Sequence, residues 1–572
     1  MLTDFIEKYE NWVNNQLVSI ELKKELLSLN EGQEIEDRFY QNLEFGTGGL
    51  RGVMGAGTNR VNIHTIRKAT QGLADYLNKR SFNVDFKSVA IAYDSRNFSQ
   101  VFAEEAALVL TANNIKVYLF DSLRPTPELS FAVRYLSCVG GIVITASHNP
   151  AEYNGYKVYG ADGGQITLTE AESITKEIEK LDIFNDVKLC SKDSAIKNGL
   201  LEYIGENIDK EYVKKVKELS INPFVVNELS DFKIVYTPLH GSGLMLMSRI
   251  LKELGYNDVS VVASQMLPDG NFPTVKSPNP EEREALTEAI SLGESINADI
   301  ALGTDPDSDR VGVAIRAENS EFVLLTGNQI GALLTYYLVS HNKNISSKDA
   351  VIKTIVTSDL GAIIAEYYGA TVFSTLTGFK YIGEKISEFE ESNNFKFLFG
   401  YEESYGYLAG TFVRDKDAII ASALIVEMAA YYKLENKTLL NVLESIYDKF
   451  GYFDDDLESF TLKGIDGKNK IESIVNKFRN VEEIMKGFPS SVVLEDYKSK
   501  KRNNFRLESY ELIELPSSNV IKILFEDGSW LAVRPSGTEP KLKIYYSTKA
   551  DNKVELYDKM KLLKQRVSAF IS

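Results

Sequence analysis

The chemistry in this chain is concentrated in four short stretches. "TASHNP" (145–150) follows the apolar run "GGIVI" and places Ser147 and His148 at the end of an expected buried strand. A serine hydroxyl is a weak nucleophile until a base or a metal assists it. His148, and Lys157 in "NGYKVYG", are close enough in sequence to move protons or hold an anion. Alone, the hexapeptide reads equally as a turn capped by a hydroxyl, with a solvent-facing histidine. "GTDPDSDR" (303–310) alternates Asp305, Asp307 and Asp309 after the strand-like "ADIALG", so three carboxylates converge on a small volume. Carboxylates this close repel unless a cation neutralises them, and hard oxygen ligands of this kind suit Mg²⁺. An EF-hand is excluded, because Arg310 and Arg316 stand where such a loop needs glycine and glutamate. A solvated acidic turn is the remaining alternative.

"GYEESYGY" (400–407) sets Glu402, Glu403 and Ser404 between tyrosines and glycines. Three readings fit it: a site for sugar hydroxyls, a glycosidase carboxylate pair, or a charged helix start. "RPSGTEPKLKIYY" (534–546) offers the Arg534 guanidinium, the Ser536 and Thr538 hydroxyls, and a permissive backbone at Gly537. That is a nest for a phosphate dianion, with Lys541 and Lys543 adding charge; the alternative is a plain turn before an edge strand. Together the four stretches describe one ligand. It is a sugar phosphate held by its phosphate at one end and its hydroxyls in the middle, with the other end presented to a serine and a divalent metal.

These loops need strands to carry them. Short β-branched runs alternate with helical patterns: "SVAIAYD", "SQVFAEEAALVLTANN", "KVYLF", "TPELSFAVRYL", "GGIVITAS". That alternation is the texture of βαβ units with a mostly parallel sheet. It returns from "FKIVYTPLHGSG" and again from "VLLTGNQIGALLTYYLVS". The last stretch, with its "DG" turn, reads as an antiparallel sheet. The expected fold class is therefore α/β: three similar, mixed or mostly parallel units plus a C-terminal α+β domain around a central cleft. The expected boundaries are 1–40 (a helical extension, Gly32 breaking it into two helices), 41–205, 206–320, 321–460 and 461–572.

The bulk numbers are ordinary for a soluble globular protein. The chain has 572 residues, 44% hydrophobic and 25% charged, with a formal net charge of -17. That charge disfavours nucleic acid or an anionic membrane as partner. Two cysteines build no disulfide framework and no Cys/His metal spacing, so a cytoplasmic location is expected. The N-terminus has no signal-peptide pattern, and the apolar run 418–432, interrupted by Glu427, is too short to span a bilayer and reads as a buried helix.

The order "TASHNP", "GTDPDSDR", "GYEESYGY", "RPSGTEPK" resembles the α-D-phosphohexomutase superfamily. "GTGGLRG", "RPTPELSFAV", "YTPLHGSG" and "TGFKYIGEKI" support the likeness, which runs from about residue 40 to the C-terminus. The N-terminal stretch and "EFGTGGLRGVMGAGTNR" resemble its phosphoglucomutase and phosphopentomutase branch. The resemblance implies that Ser147 carries a phosphate and ligates Mg²⁺ with Asp305, Asp307 and Asp309. It implies that the phosphate passes to a sugar monophosphate, and that the resulting glucose 1,6-bisphosphate reorients and returns its other phosphate. Arg51, Arg310 and Lys157 are the implied cations, and Lys157 and His148 the implied proton carriers. Glu402, Ser404 and Lys380 would read the sugar, while Arg534, Ser536, Gly537 and Thr538 would hold the idle phosphate. His240 is expected to be structural. Glucose 1-phosphate and glucose 6-phosphate are the favoured pair, with pentose or mannose phosphates as rivals.

Two other classes stand as alternatives. "DPDSD" is similar to the start of haloacid-dehalogenase-type phosphatases, where the first aspartate is the nucleophile. Asp309 stands where threonine or valine belongs, and Ser147 and the 534 loop are then left unexplained. A non-catalytic phosphosugar sensor is disfavoured by the intact serine and aspartates.

Overall fold

The computed structural model describes residues 4–29, 32–229, 231–461, 464–536 and 541–571. By packing, the chain divides into two compact units: 1–327 with 382–400 and 404–438, and 328–381 with 401–403 and 439–572.

The first unit opens with three helices, Asp4–Asn14, Ile20–Leu27 and Gly32–Phe39. A break does fall at Gly32, and a second one, not expected from the sequence, precedes it. Gly32 begins the third helix, and the first break falls before Ser19, whose hydroxyl caps the second helix by accepting from Leu22 N (3.3 Å). This extension is not free. Trp12 packs edge-on against Phe39, His64 and Phe184 at 5.9, 5.3 and 5.5 Å. Arg38 and Glu25 together bind both backbone polar groups of Ala56.

Behind the extension lies a six-stranded sheet in the order Gly49–Val53, Tyr153–Gly160, Gly140–Ile144, Ser88–Tyr93, Lys116–Phe120, Leu201–Ile204. The last four are parallel, and the first two join antiparallel. Every residue of Gly140–Ile144 is buried, which is why "GGIVI" is continuously small or apolar instead of alternating. The five-stranded sheet runs Phe322–Leu324, Val311–Arg316, Ile300–Thr304, Ile234–Thr237, Val259–Val261, with its last three strands parallel. The helix Ala418–Leu434 is buried as its composition requires. Its interrupting Glu427 accepts from Ile221 N and Asn222 N (2.9 Å each) and from the Ser220 hydroxyl, so a buried carboxylate ties a loop to the helix.

The second unit contains the parallel pair Asp349–Thr354 and Thr371–Thr375. It also contains a fully antiparallel seven-stranded sheet: Tyr452–Thr461, Lys541–Ala550, Trp530–Pro535, Ile521–Phe525, Ser491–Asp496, Lys501–Asn504, Ser509–Leu512. The "DG" turn joins the third and fourth of these, with Gly528 at φ 83, a backbone region that favours glycine. No helix among the described residues is long and apolar enough to cross a membrane.

Asp455, opposite Ser547 in this sheet, is half-buried with its carboxylate Oδ1 shielded from solvent, and that desolvation raises its carboxyl from 3.8 to about 7. The folded state thus binds this proton more tightly than the unfolded chain. The residue's contribution falls as pH rises through that interval and is least favourable above it. Asp455→Asn keeps the shape without the charge. It is expected to melt above the native protein at about pH 8 and close to it at about pH 4. Calorimetry at both pH values checks this; an equal offset at both would show that the carboxyl does not titrate with folding.

Candidate active site

In the first unit the loops sit where open α/β sheets place functional groups, beyond the carboxyl ends of strands. Ser147 follows Gly140–Ile144, Asp305 follows Ile300–Thr304, and "PLHGSG" follows Ile234–Thr237. Four of these motif segments hold non-glycine residues at positive φ: Ser147 (53), Leu239 (46) and His240 (59), Ser308 (52), and Tyr405 (61). Such conformations cost roughly 1–3 kcal/mol each and persist only where their surroundings impose them.

The surroundings of Ser147 are specific. Its amide donates to Thr145 Oγ1 (2.8 Å) and its hydroxyl donates to Asp305 Oδ2 (2.8 Å). Arg96 holds the loop from beneath. It donates to the carbonyls of Ser147 (2.6 Å), Pro150 (2.8 Å), Tyr153 (3.0 Å) and Asn149, and faces the buried Asp94 at 3.4 Å. His148 Nδ1 lies 3.1 Å from Ser147 Oγ. Burial, then the charges of Arg310 and Arg51, hold the imidazole well below its ordinary pKa, so it is neutral near pH 7. The reading of "SHN" as a turn capped by a hydroxyl is therefore corrected: Thr145 supplies the hydroxyl that accepts from the turn, and the Ser147 hydroxyl faces a carboxylate and an imidazole.

Asp305, Asp307 and Asp309 are all buried, and one oxygen of each lies within 4.8 Å of the others. Two charges at about 4 Å repel by roughly 4 kcal/mol at an effective dielectric of 20. Part of this is met by protein cations. Lys157 Nζ donates to Asp307 Oδ2 (2.9 Å) and lies 3.6 Å from Asp309 Oδ2, and Lys416 Nζ lies 3.1 Å from that same Asp309 oxygen. Asp305 Oδ1 accepts from the amides of Asp309 and Arg310, both at 3.0 Å. Burial raises Asp309, but Lys416, Lys157 and Arg310 outweigh it and hold the carboxyl below its usual range. Asp305 is pushed well above its usual range by burial and by Asp309 and Asp307.

The oxygens left over decide what the cluster fits. Among the described residues, Asp307 Oδ1 and Asp309 Oδ1 are buried without a hydrogen-bond partner. Each aspartate thus has one oxygen fixed by protein cations or amides, and the three remaining ones are Asp307 Oδ1, Asp309 Oδ1 and Asp305 Oδ2 beside Ser147. A hard divalent cation satisfies this donor set. A solvated acidic turn does not describe carboxylates that are buried, so that alternative falls.

The other expected residues are placed as follows. Arg51, on Gly49–Val53 and cross-strand from Gly155, donates to Asn149 Oδ1 (3.2 Å). Arg310 pairs with Glu281 and approaches Asp309 at 3.8 Å. Ser404 precedes Tyr405, whose carbonyl accepts from Val311 N (3.3 Å) beside the aspartate loop. His240 is buried, with Nε2 2.9 Å from Thr274 Oγ1 and Nδ1 3.3 Å from Leu267 O, so it braces the 267–274 loop. Gly241 passes so close to Pro306 that a Cβ would sit 2.4 Å from its Cα, which is why this loop tolerates no side chain there.

The second unit carries the remaining residues. Glu402 ends the strand Lys396–Glu402, so the helix-start reading of "GYEESYGY" is overturned by a strand and turn. Its Oε1 accepts from Gly378 N (2.8 Å), two residues before Lys380. Glu403 accepts from Thr357 (3.1 Å) and Thr354 (3.3 Å). Arg534 lies on Trp530–Pro535 opposite Lys543, and Ser536 N donates to Lys541 O (2.7 Å). Burial raises the Tyr545 hydroxyl, Glu403 and Glu402 raise it further, and Arg534 opposes them, which brings both segments to one neighbourhood within this unit. Gly537 and Thr538 lie outside the described residues.

Sequence reasoning missed Arg96, Asp94 and Lys416. The first two stand in "YDSRNF", just beyond the strand Ser88–Tyr93, where the carboxyl-end rule applies. Lys416 lies in "RDKDA", where charges directly before a wholly apolar helix were the available signal.

Comparison with known proteins gives the family. Four family models match: phosphoglucomutase/phosphomannomutase alpha/beta/alpha domain I over residues 42–183, domain II over 210–318, domain III over 326–450, and the C-terminal domain over 475–561. A phosphoglucomutase from Staphylococcus epidermidis is 38% identical over 544 residues, 95% of this chain and 97% of that protein. One from Staphylococcus haemolyticus is 40% identical over 520 residues, 90% and 92%. Among solved structures, the Paramecium exocytosis-sensitive phosphoprotein parafusin, a phosphoglucomutase in an open form, superposes with a TM-score of 0.70 at 18% identity, covering 93% of this chain and 96% of that one. A Thermus thermophilus protein described as a phosphomannomutase superposes at 0.66 and 21% identity, covering 92% and 99%. These two similarities bear on fold alone.

Removing Arg96 leaves Asp94 buried without its cation and frees four carbonyls. Arg96→Met is expected to destabilise the first unit by about 3–5 kcal/mol. It should also speed amide exchange across 145–153. Denaturant unfolding and hydrogen exchange check this, and native protection of that loop would show that Arg96 does not hold it.

Proposed function

The chain belongs to the phosphoglucomutase/phosphomannomutase family, a four-domain α/β architecture, and we propose that it interconverts glucose 1-phosphate and glucose 6-phosphate. The observation that carries the mechanism is the single cluster of Ser147, His148, Lys157 and the three aspartates. Its reactive hydroxyl is 2.8 Å from a carboxylate and 3.1 Å from a neutral imidazole.

Phosphoryl transfer is mostly a matter of positioning and charge neutralisation. Asp305, Asp307 and Asp309, with an oxygen on Ser147, hold Mg²⁺; when bound, the ion supplies positive charge against the phosphoryl oxygens. Ser147 carries the phosphate in the resting enzyme and gives it to the free hydroxyl of a bound sugar monophosphate. The bond from phosphorus to the serine oxygen breaks as the bond to the sugar oxygen forms. His148, neutral at working pH, has a free lone pair to take the hydroxyl proton and later returns a proton to the departing oxygen. Lys157 is already engaged by two carboxylates and serves better as a fixed positive charge than as a base. Arg51 and Arg310 add positive charge around the same loop. The glucose 1,6-bisphosphate then reorients and gives its other phosphate back to Ser147.

Glu402, Ser404 and Lys380 read the sugar hydroxyls. Arg534 and Ser536, with Gly537 and Thr538, hold the phosphate that is not reacting. The four domains are assigned to 41–205, 206–320, 321–460 and 461–572, after the helical extension 1–40. Both cysteines are unbridged, which fits a reducing compartment such as the cytoplasm. An aspartate-nucleophile phosphatase fits less well. It leaves without a role the Ser147 hydroxyl, which lies 2.8 Å from Asp305 Oδ2, and the 534 loop.

Native protein with Mg²⁺ and a trace of glucose 1,6-bisphosphate is expected to form glucose 6-phosphate from glucose 1-phosphate in a coupled assay, and Ser147→Ala to form none. Full activity in Ser147→Ala would break the mechanism. Inactivity of native protein on glucose 1-phosphate, with turnover of mannose 1-phosphate or ribose 1-phosphate, would move the specificity. Arg534→Ala is expected to lower kcat/KM by about 10²-fold, the loss of a charged hydrogen bond to phosphate, without changing the melting temperature. An unchanged rate would remove that strand from the site.

A further inference from the structure

The segment "RPTPEL" has a place in the geometry that the mechanism above does not use. Thr126 is fully buried at the start of the helix Thr126–Tyr135. It makes two hydrogen bonds to one residue of the aspartate loop, 181 positions along the chain. Its hydroxyl donates to Asp307 Oδ2 and its amide donates to the Asp307 carbonyl, both at 2.9 Å. The flanking prolines explain why this amide is available. A helix begins with donors that have no intrahelical acceptor, and Pro127 contributes none, so the Thr126 amide is one of the few exposed at this end.

The consequence concerns which oxygen of Asp307 is free. Oδ2 receives two donors, Thr126 Oγ1 and Lys157 Nζ, each at 2.9 Å. Oδ1 is buried and has no partner among the described residues. A carboxylate can rotate about its terminal bond and exchange its oxygens, and a lysine on a flexible stem does not by itself prevent that. A threonine hydroxyl anchored by its own backbone amide does, because both bonds fix the same residue at once.

We propose that Thr126 is a positioning residue for the divalent-cation centre. It locks the Asp307 carboxylate so that Oδ1 faces the cation, and fastens the aspartate loop to the helix of the preceding domain. The inference rests on the reading of Asp305, Asp307 and Asp309 as cation ligands. Partners that orient metal ligands typically change metal affinity by 10- to 100-fold when removed.

The test is calorimetric titration of the full chain with Mn²⁺ and Mg²⁺. Native protein is compared with Thr126→Val, which keeps the shape, and Thr126→Ser, which keeps the hydroxyl. Thr126→Val is expected to bind about 10- to 100-fold more weakly, and Thr126→Ser to stay within about threefold of native. The cation concentration giving half-maximal rate should shift in the same order. Circular dichroism and melting of the cation-free proteins establish that each is folded, and Thr126→Ala replaces the valine variant if that one is not. Native-like binding by Thr126→Val overturns the inference, as does equal weakening in Thr126→Ser, which would assign the effect to packing. Native protein that binds no cation overturns both this inference and the cation reading beneath it. Cation binding weakened in Thr126→Val, in a protein without mutase activity, leaves the inference standing and removes the catalytic assignment.

Discussion

Three carboxylates buried within 4.8 Å of one another are the constraint around which the first unit is organised. No protein collects such charge without compensation, and here the compensation comes from far along the chain. Lys157 arrives on a strand of the six-stranded sheet, Lys416 from the segment before the buried helix, and two backbone amides from the aspartate loop itself. The compensation is deliberately incomplete in geometric terms, since two buried oxygens remain without partners. A cation would complete the set, with the Ser147 hydroxyl beside it at 2.8 Å from Asp305 Oδ2.

The same constraint accounts for the backbone irregularities. Residues at positive φ recur in the serine loop, the aspartate loop, the "PLHGSG" loop and the turn after Glu403. Each reverses direction just beyond a buried strand. The cost of those conformations is met by surrounding bonds. Arg96 gathers four carbonyls of the serine loop, and Ser242 uses both its amide and its hydroxyl on Pro306 O at 2.8 Å. The second unit follows a different strategy. Its charged groups are carried on regular strands and short turns, with Glu402 and Glu403 fixed by an amide and two threonine hydroxyls, and Arg534 on a strand paired on both sides. The N-terminal helices belong to the first unit's core, where Trp12 closes over His64 and Phe184.

What the sequence determined by itself was which polar residues stand directly after buried strands and the kind of strand that carries them. Continuous burial writes itself as an uninterrupted apolar run, so "GGIVI" and "ADIALG" announced strands, and the polar residues directly after them announced loops. Alternation with a "DG" turn likewise announced the antiparallel sheet. These signals are local, because burial on both faces or one is imposed residue by residue along a strand. The break before Ser19 in the helical extension was missed for the same reason. A glycine is visible locally, but a capping serine is recognised only once the helix it caps is known.

Tertiary structure alone decided which oxygen of each aspartate is left over, that burial lowers the His148 imidazole, and that Lys157 lies between two carboxylates. It alone brought Arg96, Lys416 and Thr126 to the site. Those facts depend on pairings between residues up to 181 positions apart, and on burial that removes water from around a charge. A lysine or threonine has the same appearance in sequence whether it faces solvent or a buried carboxylate. Only the folded chain, by setting the distance and excluding the solvent that would screen it, gives the side chain its energy and its role.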